Sequence, residues 1–188
     1  MKRNILKMHE IVKYPPQNYI NGIYEKDEWT DYSDIGKVFD DKLFTLEEYL
    51  SVEKKYINVI LKILEELNCT YIRLDRWFKN YAEDIKDSRF PDVDYPLLRF
   101  AQSQKRGNRI DRVNIDKIIR LILRNYLGAR LRNKKKKLLI EFGWDFYMHV
   151  QCELEEIRLR EIVEKEGLYL NPRQKRILII KNGENPNL

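Results

Sequence analysis

At 188 residues, with 43% apolar and 35% charged side chains, the chain has material for one sizeable core and too much hydrophobicity for disorder throughout. Two cysteines are too few for a disulfide scaffold and fit a reducing compartment. No stretch nears the about 18 apolar residues of a membrane span, and the start from Met1 meets Lys7, His9 and Glu10 before any signal-like apolar run, so a cytoplasmic protein is expected.

One globular domain over 1–182 with a flexible tail over 183–188 is the expected organisation. Residues 1–44 read as irregular, with extended pieces at Ile11–Tyr14 and Tyr19–Tyr24, punctuated by Pro15-Pro16 and Asn21-Gly22. A helix then starts at Thr45, where Thr45 and Glu48 have capping-box spacing. Leu46, Leu50, Ile57, Ile60, Leu61, Leu64 and Leu67 make its apolar stripe, and Asn68 is its terminator. Thr70–Leu74 reads as a short strand. Residues 83–108, with Pro91, Pro96 and Gly107, read as a long loop with one or two short turns.

A second helix is expected from about Asp111 to Leu131. Ile115, Ile118, Ile119, Ile122, Tyr126 and Ala129 fall on one face, with Lys117, Arg120 and Arg124 opposite. Leu138–Phe142 and Asp145–Gln151 are extended runs around Gly143, which marks either a hairpin or a bulge. Cys152–Glu166 reads as a helix ending at Gly167, and Ile177–Ile180 as a terminal strand. The fold class expected from this is α+β: two or three long helices packed on a small sheet in one compact domain.

Charge is segregated along the chain. Glu25–Glu48 holds nine acids against three lysines, whereas Arg99–Lys137 holds fourteen basic residues against two acids, and the whole chain carries +6. Fields of this kind govern encounters with charged partners. Over Asn18–Asp34, Tyr19, Tyr24, Trp29 and Tyr32 are interleaved with carboxylates. Aromatic anchors with steering charges suit a protein interface, so Glu25, Asp27, Glu28, Trp29, Asp31, Tyr32 and Asp34 are the candidate partner-binding residues. The alternative is nucleic acid on the basic block, through Arg106, Arg109, Lys117, Arg120, Arg124, Lys134, Lys135, Lys136 and Lys137.

Catalytic patterns are weak by comparison. His149 and Cys152 lack the paired spacing of a zinc site, and no metal ligand set is expected. Pro91-Asp92 with Asp94 has the opening of a metal-dependent nuclease motif without its later acid and lysine; Asp84-Ile-Lys86 lies upstream. No nucleophile elbow or phosphate loop occurs, so neither an enzyme nor a cofactor is expected.

Glu28-Trp-Thr-Asp-Tyr-Ser-Asp-Ile-Gly-Lys37, Thr45-Leu-Glu-Glu-Tyr-Leu50, Phe142-Gly-Trp-Asp-Phe-Tyr-Met148 and Gly167-Leu-Tyr-Leu170 resemble passages of small bacterial proteins encoded beside secreted polymorphic toxins. Such proteins look like immunity proteins. The resemblance implies binding to a cognate toxin domain, without catalysis. Many immunity proteins against basic nucleases are acidic, whereas this chain is basic.

Overall fold

The computed structural model describes residues 6–21, 23–79, 90, 95–143, 145–171 and 176–177. Along the chain come β1 (Lys7–Val12) and two small hairpins, β2–β3 (Tyr19–Ile20, Ile23–Tyr24) and β4–β5 (Val38–Phe39, Lys42–Leu43). Then follow α1 (Leu46–Glu66), β6 (Tyr71–Lys79), α2 (Tyr95–Ser103), β7 (Arg109–Asp111) and α3 (Ile115–Leu123). The chain continues through β8 (Leu127–Asn133), β9 (Leu138–Phe142), β10 (Met148–Gln151), α4 (Glu156–Lys165), β11 (Tyr169–Leu170) and β12 (Arg176–Ile177).

The frame is one large antiparallel sheet in the order β11-β1-β10-β9-β8-β6-β7, with β12 sharing the outer edge of β1. This overturns the expectation of two or three long helices on a small sheet. Among the described helices only α1 is long, at 21 residues; α2, α3 and α4 have nine, nine and ten.

Two local effects explain the difference. The helix expected over Asp111–Leu131 ends at Leu123, because Asn125 takes a left-handed φ of 57°. The Asn125 N–H then donates to the Ile122 carbonyl and the Tyr126 N–H to that of Leu121, closing a Schellman cap. Tyr126 and Ala129, which extend the apolar stripe, belong instead to the turn and to β8. Residues 95–103, expected within a loop, form α2, since Pro96 sits in the first turn where a missing N–H costs nothing.

Helix α1 forms as its sequence dictates. Thr45 Oγ1 accepts from the Glu48 N–H and Glu48 Oε2 accepts from the Thr45 N–H, completing the capping box. Its terminator Asn68 has a φ of 48° in a second Schellman cap, and Gly167, at a φ of 71°, ends α4 in a third.

The core lies between the helices and one face of the sheet. Val150, Ile140, Leu131 and Leu74 stand opposite one another across four strands and are fully buried beneath α1 and α3. Gly143 turns a hairpin between β9 and β10, with Phe142 paired to Met148, so the hairpin is the alternative found. That turn holds Phe146 at a φ of 61°, unusual for a bulky residue. Its ring is buried, edge-on to Trp29 at 5.3 Å, and its carbonyl accepts from Tyr56 Oη at 2.6 Å. Packing and that bond hold the strained backbone in place. The strand expected over Ile177–Ile180 is described only to Ile177, and the tail over 183–188 lies outside the described residues.

Candidate functional site

The acidic stretch separates into an inner and an outer part. Trp29 is in the core, stacked on Phe44 at 4.3 Å, and only 8% of it is exposed. Beneath it lies Lys13, whose ammonium sits over the Trp29 ring at 4.0 Å and the Tyr14 ring at 4.2 Å. Lys13 Nζ donates to Glu28 Oε1 at 2.6 Å, and Tyr24 Oη donates to the other Glu28 oxygen. Burial outweighs the help of Glu28 and brings the Lys13 pKa down to about 8. Tyr14, Tyr19, Tyr24 and Tyr147 gather beside this cage, with the Tyr19 and Tyr147 hydroxyls 3.1 Å apart.

Asp31 and Asp34 shape backbone. Asp31 Oδ1 accepts from the Ser33 N–H at 2.8 Å and Oδ2 from Asn125 Nδ2 at 2.9 Å, tying this segment to the end of α3. Asp34 Oδ2 accepts the N–H groups of Thr30 and Asp31, and Oδ1 accepts from Lys37 at 2.7 Å. Partial burial pushes the Asp34 carboxyl up, but Lys37 and the two N–H donors hold it below the ordinary range. Tyr32 is half-buried against Phe90. Of the seven candidates, Glu25 and Asp27 are exposed.

The exposed part also contains apolar groups that sequence patterning missed. In β2–β3, Ile20 pairs with Ile23, and in β4–β5, Val38 pairs with Leu43; all four are more than half exposed. Asp40 and Asp41 make the second turn, both at positive φ as a two-residue type I′ loop requires. Each hairpin presents an apolar cross-strand pair beside carboxylates, Glu25 and Asp27 at the first, Asp40 and Asp41 at the second.

Nearby, β8 and β9 part company. Their pairing stops at Arg130 and Glu141, which form an ion pair, and beyond it the strands splay around a cavity of about 490 Å³. Thr30, Asp31, Asn125 and Asp145 line it along with that pair, above an apolar floor that includes Ile122 and Phe146. Three carboxylates against one guanidinium suit a cationic side chain.

The basic candidates are dispersed. Arg124 is fully buried in an ion pair with Glu53, out of reach of any phosphate. Lys117 is half-buried and donates to Asn114 Oδ1 at 3.1 Å, and Arg120 is half-buried beside it on α3. Arg106 and Arg109 are exposed, and Lys134–Lys137 form the β8–β9 turn, in which Lys137 pairs with Glu153. The structure thus brings Lys134–Lys137 together in one turn and withdraws Arg124 into the core.

Among the described residues no group of three His, Cys, Asp or Glu side chains gathers as metal ligands would, and no helix is long and apolar enough to cross a membrane. His149 Nε2 lies 3.0 Å from Glu10 Oε2, its cross-strand neighbour, while Cys152 is buried. Asp92, Asp94 and Asp84-Ile-Lys86 lie outside the described residues. No family model, curated protein or solved structure matches the chain.

Proposed function

We propose that the protein is a non-enzymatic, immunity-type inhibitor that binds and covers a cognate toxin domain. The observation that carries this reading is the pair of hairpins, each exposing two apolar side chains beside carboxylates. Apolar anchors ringed by charge are the usual make-up of a binding surface, and the charge steers encounter. A partner with a basic surface fits, and the acid-lined cavity beside Asp31 accepts one of its cationic side chains.

Co-expression with the product of an adjacent toxin-like gene is the test. Wild-type protein restores growth and purifies as a complex with that product. Ile23→Asp together with Leu43→Asp abolishes both, while Glu25→Lys with Asp27→Lys slows association and flattens its salt dependence. Absence of a toxin-like neighbouring gene, or full rescue by the Ile23/Leu43 double variant, refutes the reading.

A further inference from the structure

We infer that the outer face of the sheet, at its β7–β6–β8 end, is a binding platform for single-stranded nucleic acid. Strand register sets Arg109 on β7 opposite Arg73 on β6, and Arg73 opposite Arg132 on β8. Three guanidinium groups therefore stand abreast across about 10 Å, two interstrand spacings. Their strand neighbours Ile110, Ile72, Leu74 and Leu131 are buried in the core, so alternation directs the three arginines to the face away from the helices. Arg73 and Arg109 are exposed, and the Arg132 side chain keeps a quarter of its surface open.

Like charges directly opposite on neighbouring strands destabilise a sheet. Carboxylates relieve only the flanks: Asp111 lies 2.7 Å from Arg109, and Asp75 lies 3.3 Å from Arg132. Among the described residues the central Arg73 meets no carboxylate; it donates to the Gly107 carbonyl at 3.0 Å and lies beside the Tyr71 ring. An anionic backbone laid across the row removes the repulsion. Arg109 also stacks over Tyr71 at 4.2 Å, and its flat guanidinium is a surface on which an unpaired base stacks. From Arg132 the chain runs through Asn133 into the turn at Lys134, which extends the cationic track; the Asn133 side chain accepts from the Lys136 N–H at 3.1 Å and fixes that turn. A base inside a duplex cannot reach the stacking plane, which selects a single strand. These residues are separate from the hairpin surface, so the inference stands or falls independently of the toxin reading.

Fluorescence anisotropy with labelled oligo(dT) and oligo(rU) of about 12 nucleotides tests it, over about 50 to 200 mM salt. The wild-type protein binds, more weakly as salt rises, and prefers a single strand to a duplex of the same length. Arg73→Gln lowers the affinity and reduces the salt slope by about one, and Arg73→Lys keeps the slope. Because Arg73→Gln removes the middle of three like charges, its thermal stability stays equal or rises, which separates lost binding from lost folding. No binding at the lowest salt, or wild-type affinity in Arg73→Gln, overturns the proposal. So does binding that depends on Lys134–Lys136 alone, and so does an equal, Arg73-dependent affinity for phosphatidylserine vesicles, which reassigns the platform to a lipid surface.

Discussion

Arg124 grips Glu53 with two parallel hydrogen bonds, Nε to Oε2 at 2.8 Å and Nη2 to Oε1 at 2.7 Å, and neither side chain reaches solvent. The pair joins the C-terminus of α3 to the middle of α1, with the guanidinium 4.2 Å from the Phe90 ring centroid. Removing one partner leaves a buried charge without compensation. Glu53→Ala is expected to destabilise the fold by about 3–5 kcal/mol in urea unfolding. Glu53→Leu combined with Arg124→Met recovers much of that loss, since an apolar pair has no charge to desolvate. A double variant no more stable than Glu53→Ala contradicts this account.

Lys13 makes stability depend on pH with a definite sign. Its folded pKa of about 8 lies below the ordinary lysine value of 10.5, so between these values the unfolded chain holds more protons than the folded one. Stability then rises with pH, by about 2 kcal/mol between pH 8 and 10 from this group. The buried tyrosines act in the opposite sense above pH 10, because burial raises the pKa values of Tyr14, Tyr49 and Tyr56 and they resist the ionisation available to them when unfolded. Burial also pushes up the Cys69 and Cys152 thiols, which oppose the Lys13 gain from about pH 8.5. The Lys13 contribution is therefore read against Lys13→Met, which retains the apolar stem: the wild-type urea midpoint should gain on that of the variant from pH 7 to about 10.

Asn68 and Asn125 both end helices in left-handed conformations, but only Asn125 also reaches Asp31. Glycine adopts that backbone without strain, so Asn68→Gly is expected to be neutral, while Asn68→Val costs about 1–2 kcal/mol. Asn125→Gly keeps the cap and loses the side-chain bond, costing about 1 kcal/mol. Equal effects of the two glycine variants would show that the Asp31 contact contributes nothing to stability.

The hairpin pairs are a surface feature and should leave folding nearly untouched. Ile20→Ser and Leu43→Ser are expected to change unfolding free energy by less than about 0.5 kcal/mol. By contrast Ile140→Ala, in the fully buried row, costs about 2–5 kcal/mol. A large loss from Leu43→Ser would mean that this hairpin is part of the core architecture and not a free binding tip.

The contrast between Trp29 and Glu25 shows where patterning along the chain runs out. Both lie in one acidic, aromatic run, yet the tryptophan packs on Phe44 and Phe146 while the glutamate faces solvent. No period marks the division, because residues 25–34 contain neither strand nor α-helix. Arg124 misleads in a related way. Read as the last basic residue on an exposed helix face, it lies at the cap, where the helix has ended and the side chain turns inward to Glu53.

What sequence alone determined is the chemistry of short range: the capping box at Thr45 and Glu48, the terminators Asn68 and Gly167, and the β9 run Leu138–Phe142. The caps depend on bonds between residues a few positions apart, and the strand on its local run of apolar side chains. Tertiary structure decided the size of the sheet, the conversion of Leu127–Leu131 from expected helix to strand, and the alignment of Arg109, Arg73 and Arg132. Each of those requires strand partners distant in sequence, so register and burial, with no local signature, settle which charges and which rings reach the surface.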